Sequence, residues 1–591
     1  MDKKTSNSIL DVGLFKRLMA FVKPYRKTFV FVLLAAVFLS GFSTLSPYLL
    51  KITIDDYITV KDYDGMLVLI AVMGAALILE VVFQFMFIYF ANWLGQHVIY
   101  DLRNTLYTHM LQSKMSYYDN SAVGRLVTRV VSDIETISGI FSQGLFMIIA
   151  DLLKMLVVIV VMWSVSWKLS LIVFAVLPVI LVATRKFQKA MKAAFDEVRT
   201  QVANLNSFVQ ERISGMSIVQ LFAREDTELK SFRVINDKHR KAWLKTVWYN
   251  SIFFPIAELS TSITIGLLVW FGGLNVIAGS SGITLGIIFL FIQLSQMLFR
   301  PLRQIADKFN TLQMGMVAVR RVVAILDEKE QIPNKGVIAD REIKGGIRFE
   351  DLHFSYNKNE PVLHGISFAM EPGETFAVVG ATGAGKSTLI NILSRFYTID
   401  SGKVLLDGIS IEDYERSWLR KQIGVVLQDV FLFADSIYNN ITLWDTSITE
   451  EEVIEAAKII GVHNFISSLP DGYQFNVKER GGMLSTGQRQ LVAFLRAYVM
   501  KPKILILDEA TSSIDTHAEK LIQKATKEIT RDKTSLVIAH RLATVQRADR
   551  IIVLDKGNIV EVGTHKELLA IEEGYYKNLY EVQFSAPIEA A

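Results

Sequence analysis

The chain has no cysteine among its 591 residues. That excludes disulfides and thiolate metal sites and leaves the redox compartment open. It also lacks a charge excess: 63 Lys and Arg against 59 Asp and Glu give a formal +4. The basic residues cluster between apolar runs rather than in one patch, so a nucleic-acid partner is not implied. Internal repeats and low-complexity segments are missing. No cleavable signal is expected, because the first apolar run begins only at Phe29 and carries no small-residue cleavage pattern. Met1 to Ile9 is not Arg-rich or amphipathic enough for an organelle-targeting segment. Apolar residues, by contrast, are abundant. They make up 51% of the chain and mean hydropathy is positive, although the last third reads as an ordinary soluble domain.

A helix needs roughly 20 apolar residues to cross the hydrocarbon of a bilayer. Six runs qualify as spans: 29–50, 66–90, 137–163, 169–182, 252–277 and 283–299, the fourth being the shortest. An even number returns the chain to its starting side. Lys16, Arg17, Lys23, Arg26 and Lys27 precede the first span. Arg103, Arg125, Arg129, Arg185, Lys186 and Lys189 follow the second and fourth. The opposite loops, 55–64, 164–168 and 278–282, hold only Lys61 and Lys168. The positive-inside rule therefore places both termini in the cytosol. Residues 14–22 have the helical spacing of an interfacial helix ahead of Pro24. Ionisable residues inside spans are costly and are functional candidates by default. Asp151 and Lys154 are three apart and are expected to neutralise each other. Glu80 and Glu258 have no local partner in the sequence. They either line a cavity for cationic cargo or form hydrogen bonds between helices.

The last 240 residues carry a different chemistry. Gly380-Ala381-Thr382-Gly383-Ala384-Gly385-Lys386-Ser387-Thr388 fits G-x-x-x-x-G-K-[ST], between a predicted strand at 375–379 and a predicted helix at 387–396. Such a loop turns backbone N–H groups onto phosphate oxygens at a helix N-terminus. Lys386 would reach the β- and γ-phosphates of ATP, and Ser387 would ligate Mg2+. Further on, the apolar run Ile504-Leu505-Ile506-Leu507 ends in Asp508-Glu509. Its carboxylates are expected at the C-terminal edge of a parallel sheet, where ligands collect. Asp508 suits the Mg2+ shell, and Glu509 suits orienting or deprotonating the attacking water.

Leu484-Ser485-Thr486-Gly487-Gln488 makes the reading more specific. With the motifs on either side of it, the chain resembles an ATP-binding cassette (ABC) exporter half-transporter, from about Leu14 to Phe584. The resemblance implies an all-α transmembrane domain of six helices with long cytosolic extensions. After it would come an α/β phosphate-loop ATPase with mixed sheet and a helical subdomain. The expected boundaries are a cytosolic segment 1–28, a transmembrane domain 29–326, a linker 327–346, the ATPase 347–584 and a tail 585–591. It further implies that Tyr356 stacks on adenine and that Gln428 is the Q-loop glutamine beside the metal. Ser512-Ser513-Ile514-Asp515 would be the D-loop, and His540 the switch histidine. Short transverse helices at about 115–120 and 214–222 would dock on the ATPase.

The family's usual signature is L-S-G-G-Q, and this chain has Thr486 in place of a glycine. A Cβ and hydroxyl add bulk where a partner's γ-phosphate would approach. In this family the signature acts in trans, while Glu509, Gln428 and His540 here fit the competent pattern. The chain thus resembles the catalytic-glutamate half of heterodimeric bacterial exporters, which implies a second, different half-transporter as partner in preference to a homodimer that tolerates Thr486. The expected function is ATP-driven export of hydrophobic or amphipathic compounds by alternating access, in contact with membrane lipids, at a bacterial inner membrane. Two alternatives are a lipid or lipopeptide flippase and an ATP-gated channel or regulatory subunit on the same scaffold. Intact Glu509 and His540 weigh against the last.

Overall fold

The computed structural model describes residues 11–278, 282–328, 336–357, 360–509, 516–539 and 541–584. The first half is helical throughout: α1 (Val12–Val22), α2 (Arg26–Ile52), α3 (Tyr63–Leu111), α4 (Met115–Asp119), α5 (Val123–Thr128), α6 (Ile134–Gly139), α7 (Phe146–Val165), α8 (Trp167–Ser214), α9 (Met216–Leu221), α10 (Glu225–Ala278) and α11 (Leu285–Leu326). Among the described residues, seven stretches are long and apolar enough to cross a membrane. Two of them, Leu285–Leu302 and Lys308–Leu326, are parts of the single helix α11. There are thus six passes, as the hydropathy implied. The fourth, short in the sequence reading, is the start of a helix of 48 residues. The helices α3, α8 and α10 run 49, 48 and 54 residues, well beyond the roughly 20 that a bilayer needs.

Chain contacts divide the protein into two compact units. One comprises Met1–Leu111 and Val123–Lys329; the other comprises Gln112–Ala122 and Glu330–Ala591. In the first unit α3 packs along α2, α10 along α8, and α11 against α7 and α2. The apolar window of α3 is only 6% buried, as expected of a surface that faces lipid. The third pass is interrupted by two π-helical turns, Arg129–Asp133 and Ile140–Leu145, both against α11. Buried Asp133 accepts from Arg129 at 2.5 Å and from Arg321 of α11 at 3.3 Å. At the opposite end of the passes, Asp55 accepts from the Gly286 N–H at 2.8 Å and the Thr284 hydroxyl at 2.5 Å, tying the residues after α2 to the N-terminus of α11.

The intramembrane charges are arranged differently from the sequence expectation. Asp151 of α7 is ion-paired with Lys308 of α11 rather than chiefly with Lys154. Lys154 lies within electrostatic reach of Glu80 on α3 as well as of Asp151. The half-buried Glu80 therefore faces an opposite charge, whereas the Glu258 side chain is exposed on α10.

The second unit contains two sheets. A four-stranded sheet runs β2 (Glu360–Met370), β1 (Ile347–Asn357), β4 (Ser401–Leu406), β5 (Ile409–Ser410). A six-stranded sheet runs β10 (Asn558–Gly563), β9 (Arg550–Asp555), β3 (Thr375–Gly380), β8 (Thr534–Ala539), β7 (Ile504–Glu509), β6 (Ile423–Val426), parallel except at β10. Its strands other than the edge strand β10 are largely apolar on both faces because both are covered. The side-chain period of two sends Ala377, Val379, Leu505 and Leu507 into one core, with the helix Thr486–Val499. Phe376, Val378, Ile504 and Ile506 enter the other core, with the helix Lys386–Leu393 and the four-stranded sheet.

Candidate functional site

The centre of the site is the end of β3. Four buried residues, Phe376 to Val379, hold the strand between β8 and β9, and the chain then turns through the loop into the helix Lys386–Leu393. Gly385 caps that helix at φ +100°, with Leu363 Cδ2 2.7 Å from where a Cβ would lie, so only glycine fits. Gly383 has φ +84° and open space around it, which leaves the mouth of the loop clear. The cap supplies no side-chain hydrogen bond. The first-turn N–H groups are therefore served by no side chain of the cap, which suits them to a polyphosphate. Lys386, 7% exposed, donates to the carbonyls of Gly380 at 2.7 Å and Ala381 at 2.9 Å. Burial pulls its pKa below the ordinary lysine value, and nearby Asp508 opposes that shift.

Asp508 is 9% exposed at the end of β7, paired in register with Ile538; Glu509 follows, paired with Ala539. The loop, Asp508 and Glu509 thus lie at the same C-terminal edge of the sheet, on β3 and β7, the parallel strands either side of β8. The Glu509 backbone is described, but its side chain, His540 and the D-loop residues Ser512, Ser513, Ile514 and Asp515 lie outside the described residues. Gln428 is exposed two residues beyond β6, the parallel partner of β7. No group of three His, Asp or Glu side chains suited to a metal occurs among the described residues. A Mg2+ ion would rely on phosphate oxygens, with Ser387, Gln428 and Asp508 as the protein's contribution.

Tyr356, on β1, is 43% exposed. Its hydroxyl accepts from Asn391 Nδ2 at 3.0 Å and donates to Thr388 Oγ1 at 3.2 Å. The ring has Phe354 edge-on at 4.9 Å and Tyr397 at 5.0 Å. Tyr356 is thereby tied to the helix that follows the phosphate loop. Asn391 and Tyr397 belong to no motif, and their proximity comes from the packing of β1 against that helix.

The signature residues form the start of the helix Thr486–Val499. Leu484 is buried; Ser485 is the N-cap, in a reciprocal capping box with Gln488; Gly487 is buried. The Thr486 hydroxyl accepts from Arg489 Nη2 at 3.2 Å. Among the described hydrogen bonds, none joins these residues to the chain's own phosphate loop.

Residues 29–302 match the family described as ABC transporter transmembrane region, and residues 363–512 match the family described as ABC transporter. A Bacillus subtilis (strain 168) protein named "Uncharacterized ABC transporter ATP-binding protein YknV" is 36% identical over 576 residues, 97% of this chain and 95% of the relative. From the same organism, "Putative multidrug export ATP-binding/permease protein YgaD" is 35% identical over 580 residues, 97% of this chain and all of the relative. A like-named protein of Staphylococcus aureus (strain NCTC 8325 / PS 47) is 37% identical over 579 residues, 96% of this chain and all of the relative.

Proposed function

Because this chain belongs to the ABC transporter family, as an exporter half-transporter with a transmembrane region and an ATPase cassette, we propose that it exports hydrophobic or amphipathic compounds across a bacterial cell membrane as one half of a two-chain assembly. It is an integral membrane protein whose transport is driven by ATP hydrolysis. The observation that carries the catalytic reading is the shared sheet edge, where the loop around Lys386 follows β3 and the Asp508-Glu509 pair ends β7, the two parallel strands that flank β8. The printed names of the relatives YgaD and the Staphylococcus protein support multidrug-type cargo.

In this reading the loop N–H groups and Lys386 hold the phosphates of ATP, Tyr356 stacks on the adenine, and Glu509 orients and deprotonates the attacking water. His540 and Gln428 complete the site. Mg2+, held by Ser387, Asp508 and Gln428, would neutralise the charge on the transferring phosphate. Closure of two cassettes around nucleotide would shift the membrane helices outward, and hydrolysis would release them. The Lys and Arg bias of the α3–α5 and α8–α10 segments supports cytosolic termini and a cytosolic cassette. Thr486 supports a heterodimer, because the altered signature here is paired with a complete catalytic set.

The test is ATP hydrolysis by the detergent-purified chain, alone and co-expressed with a second half-transporter. Activity should need the second chain. The Glu509→Gln variant should still bind ATP while turnover falls at least a hundredfold. Unchanged turnover in that variant would remove Glu509 from its role, and full activity of the chain alone would make the transporter a homodimer.

A further inference from the structure

We propose that Tyr397 is a positioning residue that ties adenine stacking at Tyr356 to the short helix α4, giving the base of the nucleotide its own route to the membrane helices. The proposal rests on the ATP reading above and names a regulator of that same site.

Tyr356 is held on several sides. Its hydroxyl is fixed by Asn391 and Thr388, and its ring edge by Phe354. Tyr397 closes the remaining side, edge-on at 5.0 Å and 89°. Tyr397 also meets Phe354 at 5.7 Å. A base stacking on the exposed face of Tyr356 meets a ring whose edge contact with Tyr397 is 5.0 Å, so a rotation of Tyr356 is passed to Tyr397.

The Tyr397 hydroxyl donates to the Asp119 carboxylate, at the last residue of α4. Burial, then the Asp119 carboxylate, push the Tyr397 ionisation upward, so the hydroxyl is a donor throughout the physiological range. The segment Gln112–Ala122 that contains α4 packs within the ATPase unit. Only three residues separate α4 from α3, and three separate it from α5. Displacement of Asp119 therefore has little loop in which to dissipate before it reaches α3, 49 residues long, and the 43-residue helical stretch Val123–Val165 that α5 opens. This route begins at the base and is distinct from any that begins at the γ-phosphate through Gln428.

The chain has no cysteine, so a single Asn120→Cys thiol beside Asp119 is the only label this chain can take, read on its own band after the two chains are separated. The measurement is its maleimide labelling rate in the assembled transporter, with and without ATP, in the hydrolysis-deficient Glu509→Gln background. ATP is expected to change the rate at least threefold, and Tyr397→Phe should abolish that change while ATP affinity stays within threefold. Asp119→Asn should act like Tyr397→Phe, and the double variant should be no worse than either, because one contact is shared. Inorganic tripolyphosphate, which has no base, should not reproduce the ATP effect. An equal response to ATP with and without the Tyr397 hydroxyl overturns the relay and leaves the ATP site intact. Failure of the Asn120→Cys protein to bind ATP overturns both.

Discussion

Asp151 on the third membrane pass is ion-paired with Lys308 on the sixth, 157 residues away in the chain. Both are largely withdrawn from solvent, at 21% and 18% side-chain exposure. Removing one partner leaves a charge facing a poorly solvated seam. Asp151→Asn or Lys308→Met alone should cost about 1–3 kcal/mol, between the values for surface and buried pairs. Paired removal should recover most of that loss, and the exchange Asp151→Lys with Lys308→Asp should recover part of it. Thermal unfolding of the detergent-solubilised protein orders the four variants. Additive losses would show that the two residues do not act as a pair.

The phosphate loop offers a contrast between two glycines. Gly385→Ala meets both a left-handed backbone and Leu363 at 2.7 Å, whereas Gly383→Ala meets only the backbone restriction. Each left-handed alanine costs roughly 1–2 kcal/mol. Gly385→Ala must also displace the helix cap, so its ATP affinity should fall at least tenfold further than that of Gly383→Ala. Equilibrium nucleotide binding decides this, and equal losses would locate the phosphate cradle elsewhere.

Asp407, between β4 and β5, holds the chain just before the first cassette strand. Its carboxylate accepts from the N–H groups of Lys344 at 2.7 Å, Gly345 at 3.1 Å and Gly346 at 2.7 Å. Asp407→Ala removes all three charge-assisted bonds and should destabilise the cassette by about 2 kcal/mol, water recovering part of the loss. Asp407→Asn should fall between. Hydrogen exchange at 344–346 should rise in both variants; protection unchanged from the native protein would refute the assignment.

Thr486 bears on the asymmetry of the proposed heterodimer. If turnover depends on Glu509 together with the partner's signature, Thr486→Gly should change ATP hydrolysis of the assembled transporter less than twofold. A rise of tenfold or more would mean that this chain's own signature limits turnover. The Thr486 hydroxyl accepts from Arg489, so Arg489→Ala separates bulk at the signature from loss of that contact.

The proposed phosphate loop, Asp508-Glu509 pair and signature could be picked out as motifs because each is contiguous in the chain. The six passes were legible because hydrocarbon selects composition over some 20 consecutive positions. The limits of α3, α8 and α10 were not, since beyond the membrane their exposed faces are polar and their hydropathy falls while the helix continues. Pairing Asp151 with its sequence neighbour Lys154 missed Lys308 because a helical spacing rule sees only one helix.

The sequence alone determined where the proposed chemistry sits: which residues are candidates to cradle phosphate, hold a metal and activate water, and which stretches are apolar enough to lie in lipid. Those properties are local, set by side-chain type and by spacing along one strand, turn or helix. Tertiary structure decided what surrounds that chemistry. It set Asn391, Thr388 and Tyr397 around Tyr356, paired Asp151 with Lys308, and packed residues 112–122 with the cassette. These arrangements depend on how separate elements bury their apolar faces against one another, and no periodicity within a single element encodes the identity of its neighbour.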